Sequence, residues 1–268
     1  MVELSIYVMS DIHGCYDAFL QMLDKINFSN TDRLILAGDY IDRGKQSYEM
    51  LRWLEHTSEN VELLRGNHEE EFVAYVELMC QIDQHEKLDT NFTSNTDTMA
   101  LYETVQYFID RKGFSVSCFD LYGTIGNLLG NYNVTFAELC KWADMIRRMP
   151  YYDEFKIGER TCIVVHAGYT DSLADMGSHF SNLEQFYLYA REESCTSGGR
   201  QHAIIVAGHT PTVVEGTFAY NAGNVFRYYD QAKDCVFYDI DCGCVFRSRK
   251  PDAKLACIRM EDEKIFYV

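Results

Sequence analysis

Ser10-Asp11-Ile12-His13-Gly14, Gly38-Asp39-Tyr40-Ile41-Asp42-Arg43-Gly44 and Arg65-Gly66-Asn67-His68-Glu69 punctuate the first quarter of the chain, each just past a short apolar run. Asp11, Asp39 and Asn67 are spaced 28 residues apart at each step. That is about the length of one strand, loop, helix and return strand, so the three loops converge on one edge of one sheet. Oxygen and nitrogen side chains gathered there have the layout of a metal site.

Working outward, Leu4, Ile6 and Val8 alternate as in a half-buried strand, and the run 15–23 carries apolar residues at helical spacing. Arg33-Leu34-Ile35-Leu36-Ala37 reads as the next strand, Tyr48, Leu51, Trp53 and Leu54 as a helix, and Val61-Glu62-Leu63-Leu64 as a third strand. This βαβαβ order implies mostly parallel pairing. From about 69 to 149 the pattern turns helical, broken by the polar stretch 89–98 and the Gly/Asn-rich stretch 123–133, and reads as a helical insertion. Packing and the shaping of substrate access are both open roles for it. Strand patterns return at 161–165, 203–207, 225–229, 235–240 and 255–259. The expected architecture is a single α/β domain over residues 1–268, of the four-layer α+β kind. Two mixed β-sheets pack as a sandwich flanked by helices.

The formal charge of -17 excludes the broad basic face that nucleic acid would require, and it suits an anionic membrane surface poorly. Ten cysteines lie without C-x-x-C knuckles and mostly in strand-like settings, so they read as reduced core thiols, with Cys242-Gly243-Cys244 the one close pair. No apolar run approaches the roughly 20 residues of a membrane helix. The first nine residues lack a basic segment and run straight into Asp11 and His13. A cytoplasmic protein is expected.

His166-Ala167-Gly168 and Gly208-His209-Thr210 each place an imidazole after an apolar strand. Two Asp, one Asn and three His make a hard-to-borderline donor set suited to two divalent ions, with Mn2+ expected and Fe or Zn also suited. Asp39 can bridge the two. Such a pair lowers the pKa of a water held between them and clamps the oxygens of a phosphoryl group in an in-line displacement. His68 is then placed to protonate the leaving oxygen, with Asp42 orienting its ring. Arg43 can take two phosphate oxygens at once. Arg65 and Glu69 read as loop-holding residues and Cys15 as a packing thiol. His56, His85, His179 and His202 fall outside every motif.

Over residues 10–210 this motif order resembles the phosphoprotein phosphatase branch of the calcineurin-like metallophosphoesterases, in its bacterial and lambda-phage form. The resemblance implies that fold, with Asp11 and His13 on the first metal, Asn67, His166 and His209 on the second, and Asp39 shared. It also implies a second phosphate-binding arginine between His166 and His209: Arg191, in Tyr189-Ala190-Arg191-Glu192-Glu193, or alternatively Arg200. Ser10 stands where such chains usually have glycine, and the C-terminal Ser-Ala-Pro-Asn-Tyr-Cys segment of the eukaryotic enzymes is absent.

The function expected on these grounds is a dinuclear-metal phosphomonoesterase that uses metal-bound hydroxide and forms no phosphoenzyme. Its expected substrate is a phosphorylated protein side chain or a small phosphoester. Hydrolysis of dinucleoside polyphosphates is the alternative. Asp42 and His68-Glu69 tilt against the symmetrical diadenosine tetraphosphate hydrolases, which resemble this chain but typically replace that Asp. A binding module that has lost turnover is the remote alternative. Substrate choice and oligomeric state are not written in these motifs.

Overall fold

Four consecutive buried residues form the first strand, β1 (Ile6–Met9), and they explain why the chain folds in layers. Successive strand side chains point to opposite faces. Ile6 and Val8 enter one apolar cluster, while Tyr7 and Met9 enter another. The half-buried strand expected from Leu4, Ile6 and Val8 is therefore buried on both sides, because helices cover the face that Tyr7 and Met9 occupy. The computed structural model describes residues 5–86, 95–112, 120, 122–176 and 179–268. Leu4, Cys118 and most of the stretch 89–98 lie outside the described residues.

The chain runs β1, α1 (Tyr16–Lys25), β2 (Arg33–Leu36), α2 (Ser47–Leu54), β3 (Val61–Leu63), and then α3 (Asn67–Glu86), α4 (Asn95–Lys112), α5 (Thr124–Tyr132) and α6 (Phe136–Arg147). It continues through β4 (Tyr152–Ile157), β5 (Arg160–Val165), α7 (Leu183–Tyr189), α8 (Glu193–Thr196), β6 (Ala203–Ala207), β7 (Phe226–Asp230), β8 (Cys235–Asp239), β9 (Ala256–Arg259) and β10 (Lys264–Tyr267). The first sheet has the order β10-β9-β1-β2-β3, and the second β4-β5-β6-β8-β7. Strands β1, β2 and β3 are parallel, as are β5, β6 and β8. The outer strands β9, β10, β4 and β7 pair antiparallel. Three apolar clusters separate four layers. One lies under α1 to α6. A second joins Ile6, Val8 and Ile35 to Val164, Ile204 and Val206 between the sheets, and a third sets Ile163, Val165 and Ile205 against Phe186 of α7.

Two strands, β4 and β10, escaped the pattern reading. β4 has no fully buried residue and carries charge at Asp153, Glu154 and Lys156, as an edge strand that resists further pairing would. β9 and β10 return from the C-terminus to the first sheet, so the β-rich second half serves both sheets. The stretch 123–133, expected as a break, is the helix α5. Gly123 and Asn133 bracket it in the left-handed conformation, with φ of 67° and 53°, and Ile125, Leu128 and Leu129 are its buried stripe. A capping box between Thr135 and Glu138 starts α6. Among the described residues the cysteines are free thiols, and no helix is long and apolar enough to cross a membrane.

The helical insertion shares its apolar cluster with α1 and α2. Trp142 is fully buried, its ring 6.2 Å edge-on from that of Tyr48, which in turn stacks on Tyr132 at 4.3 Å. A shared core should unfold as one unit. Urea titrations followed by far-UV and near-UV circular dichroism are expected to give coincident transitions. Trp142→Ala should shift both together, at a cost of about 3–5 kcal/mol. Separate midpoints would show that the insertion folds independently.

Candidate metal centre

The C-terminal ends of β1, β2, β3, β5 and β6 meet, and the chain turns sharply at each to aim a polar side chain inward. Asp11, His13, Asp39, Asp42, Arg43 and His209 have positive φ between 48° and 73°, and they are half of the twelve non-glycine residues so strained among those described. Strain of this kind persists where the surroundings over-determine it. Here backbone bonds do so: the N–H of His13 donates to Asp39 O at 2.8 Å, and that of Gly14 to Tyr40 O at 2.7 Å. A Cβ on Gly44 would strike the His13 carbonyl, so the second loop can lie against the first only with glycine there.

Glu69, in the first turn of α3, is fully buried. Its carboxylate accepts from the N–H groups of Asp39 at 2.7 Å, Tyr40 at 2.9 Å and Gly66 at 3.1 Å. Arg65 donates to Glu70, to Tyr151 and to the carbonyl of Arg147, fastening β3 to the end of the insertion. Both residues thus hold loops, as read from the sequence.

All six expected ligands are buried and converge. His13 Nε2 lies 3.5 Å from Asp39 Oδ2 and 3.9 Å from Asp11 Oδ1. On the other side, His166 Nε2 is 3.4 Å from Asp39 Oδ1, 3.0 Å from Asn67 Oδ1 and 3.2 Å from His209 Nδ1. The two oxygens of Asp39 therefore face two different sets of donors. Two groups of potential ligand atoms, each within 4.8 Å of one another, share that residue: His13, Asp39 and His68, and Asp39, His166 and His209. The first contains His68, which the sequence reading assigned to proton transfer.

The donor chemistry fits a pair of cations. Burial, with the charges of His68 and Arg43, holds the His13 imidazole well below its ordinary pKa. Burial, with His166 and Arg191, does the same for His209, and neutral imidazole is the ligating form. The Nδ1 atoms of His13 and His166 face the carbonyls of Ile41 and Ala37 at 3.0 and 2.9 Å, which turns each Nε2 toward the centre. Burial and the charge of Asp11 push the Asp39 carboxyl well above the usual range, a cost that bound cations would relieve. Asp11 Oδ2 accepts from Ser10 Oγ at 2.5 Å and from the His209 N–H at 3.0 Å, while its Oδ1 is buried without a partner among the described residues. Ser10, standing where glycine is usual, is a hydrogen-bond partner that orients this carboxylate.

His68 Nδ1 is 2.7 Å from Asp42 Oδ2. Burial, then Arg43 and His166, lowers its pKa to about 2, while burial raises that of Asp42 to about 6. Arg43 Nη1 lies 3.0 Å from His13 Nε2, and Arg191 Nη1 reaches the His209 carbonyl at 3.2 Å and Thr210 Oγ1 at 3.3 Å. The structure thus brings Arg191 to the rim. Arg200 is committed elsewhere, to Asp171, Glu154 and Tyr169.

Sequence reasoning missed three contributors. Tyr122 sets its ring 5.0 Å from that of His68 and 5.3 Å from the Arg43 guanidinium, and Thr124, at the start of α5, hydrogen-bonds Asp42. Asp241 is buried behind Asp11, its carboxyl raised by burial and by Asp11, and it accepts from the Gly243 N–H at 2.9 Å. The one signal for Asp241 was its place just past the strand pattern 235–240. Nothing in the local pattern marks the other two.

A bis(5'-nucleosyl)-tetraphosphatase, symmetrical, of Haemophilus ducreyi is 34% identical over 92 residues, 34% of each chain. One from Buchnera aphidicola subsp. Baizongia pistaciae is 40% identical over 72 residues, 26% of each chain. The matched regions thus span about a third or less of these relatives. Among solved structures, a protein serine/threonine phosphatase from Saccharomyces cerevisiae superposes with a TM-score of 0.53 at 14% identity, covering 99% of this chain and 79% of that one. A metallophosphoesterase from Sphaerobacter thermophilus gives 0.52 at 12% identity, with 98% and 86% covered. These two likenesses concern the fold. The family model described as calcineurin-like phosphoesterase matches residues 4–241, nearly the whole chain and every ligand loop, and the protein belongs to that family.

Proposed function

We propose that the protein is a metal-dependent hydrolase of dinucleoside polyphosphates, cleaving a phosphoanhydride by direct attack of water, with no phosphoenzyme. The observation that carries the hydrolytic reading is Asp39, whose two oxygens face two separate sets of buried ligand atoms. The names of the relatives, symmetrical bis(5'-nucleosyl)-tetraphosphatases, support the substrate class. Asp11, His13 and Asp39 would hold one ion, and Asp39, Asn67, His166 and His209 the other. When bound, two divalent ions supply an acidified water and positive charge against the phosphoryl oxygens.

The chain's own groups complete the chemistry. Arg43 and Arg191 flank the centre from opposite sides, so their guanidinium groups can bind the non-bridging oxygens of one phosphate and fix it for in-line attack. Asp42 holds His68 through Nδ1, and the negative charge of a bound phosphate would favour the doubly protonated ring against the burial that lowers its pKa, so that Nε2 could pass a proton to the departing oxygen. Tyr122 lies against both, its ring packed beside His68 and under the Arg43 guanidinium while its own face stays exposed.

The second reading is the phosphorylated protein side chain favoured on sequence grounds, and one observation keeps it: the 2.7 Å pair of His68 with Asp42. An alkoxide leaving group needs an acid far more than the phosphate leaving group of an anhydride does. A panel of phosphoserine, phosphothreonine and phosphotyrosine peptides against diadenosine polyphosphates, compared by kcat/KM, decides between them. The first reading expects the diadenosine compounds to be preferred, and a preference for the peptides would replace it.

With Mn2+, turnover of p-nitrophenyl phosphate is expected, lost on chelation and restored by the metal. Asp39→Asn should lower it by more than about 100-fold, beyond the loss typical of a ligand's outer hydrogen-bond partners. Metal-replete protein inert on every phosphoester would leave a binding module instead. His68→Asn should cost on the order of 100-fold on substrates with alkoxide leaving groups and clearly less on p-nitrophenyl phosphate. Equal losses on the two would remove His68 from the role of acid.

A further inference from the structure

Beside the metal centre lies a cavity of about 610 Å³ that shares Arg43 and Tyr122 with the site's rim. A single phosphate does not require such a space, since cavities of roughly 300–1,000 Å³ hold whole cofactor-sized ligands. The cavity wall carries Arg43, Lys45, Arg247 and Arg249 and one carboxylate, Asp17. Four cations to one acid is the reverse of the chain as a whole, which has 24 Lys and Arg against 41 Asp and Glu. The lining therefore carries the opposite sign to the net charge of the chain.

These cations also lack the ion pairs that many of the other arginines make, although Arg148, Arg191 and Arg227 have none among the described residues either. Arg33, Arg65, Arg147, Arg160, Arg200 and Arg259 each have a carboxylate within ion-pair distance. Among the described residues, none of the four cavity cations has one. In an acidic protein, unpaired basic side chains gathered round one space are suited to an anion from outside. The loop that carries two of them is itself built. Gly243 takes a φ of 79°, a short 3-10 turn follows over Cys244–Phe246, and the N–H of Arg249 returns to Phe246 O at 2.8 Å. Arg247 and Arg249 project from this turn as exposed residues.

We propose that this cavity seats the phosphate chain that continues beyond the scissile phosphorus of a nucleoside polyphosphate. Arg43 engages the reacting end, and Lys45, Arg247 and Arg249 take the phosphates farther along. The assignment rests on the dinucleoside polyphosphate reading and deepens it, since these residues would tell a long phosphate chain from a lone phosphoester.

Binding tests the assignment separately from turnover. Mn2+-loaded protein is titrated with adenosine 5'-(β,γ-imido)triphosphate and with adenosine monophosphate. Wild type is expected to bind the longer chain at least about 10-fold tighter, and the exposed double variant Arg247→Gln/Arg249→Gln to reduce that ratio to within about 2-fold. Arg148→Gln/Lys264→Gln, the same change in charge outside the cavity, should leave the ratio as in wild type. An unchanged ratio in the cavity variant, or an equal fall in the control, overturns the assignment. In turnover, the cavity variant should lose about 10-fold or more in kcat/KM on diadenosine tetraphosphate and stay within about 2-fold on p-nitrophenyl phosphate. Wild type that binds the longer chain through these arginines yet leaves diadenosine tetraphosphate uncut would sink the hydrolase reading while upholding the cavity.

Discussion

The constraint on which this structure depends is the burial of negative charge at the end of two sheets. Asp11, Asp39, Glu69, Asp239 and Asp241 are all buried within the same end of the sandwich. Carboxylates that close repel one another and lose their hydration, which is tolerable only where hydrogen bonds or cations compensate. Glu69 is compensated by three backbone amides, and its acceptor role fixes the loop that carries Asp39 relative to the helix that carries His68. Burial still lifts the Glu69 carboxyl to about 8, whereas Asp39 has one amide, from His68 at 3.2 Å, and Asp11 Oδ1 has no partner among the described residues, which leaves both with free acceptor capacity for metal. The fold invests its rigidity in the groups around the ligands and leaves acceptor atoms on the ligands themselves open.

Much of this was legible in the sequence because it is periodic or punctual. Parallel strands buried on both faces show as apolar runs, and the residue that ends each run is the one that faces the site. Hence Asp11, Asp39, Asn67, His166 and His209 could be named from their positions alone. Groups brought in across the fold could not be named so. Tyr122 and Thr124 reach the centre because α5 packs on α2 through Tyr132 and Tyr48, a contact between residues 84 positions apart along the chain. Ser10 was visible, yet its meaning lies in which oxygen of Asp11 it holds. The edge strand β4 hid because only Phe155 and Ile157 pack inward, between charged neighbours. The Gly/Asn-rich stretch 123–133 misled for a related reason: its glycine and asparagine at the ends are helix boundaries, and its apolar residues still fall at helical spacing.

The substrate question shows where motif and geometry part. The His68 and Asp42 pair speaks for a leaving group that needs a proton, while the named relatives speak for a phosphoanhydride, whose leaving group scarcely does. Both can hold on one scaffold, because the ligand loops fix the chemistry at phosphorus and leave the surrounding walls to choose what is attached to it. Those walls come from places far apart in sequence: the segments after β1 and β2, the residues just before α5 and the loop after β8.

Tyr122 lies two residues before α5 and Thr124 is its first residue, and the helix touches the body through apolar contacts, the stacked Tyr132–Tyr48 pair and the Tyr132 hydroxyl on Glu49. A change of length or register in the insertion would carry both residues away together, altering the rim and the Asp42 environment in one step without disturbing a single ligand. The ligand loops and this rim are therefore mechanically separable, and what adjoins the metal-binding end can change through a helix that supplies none of its ligands.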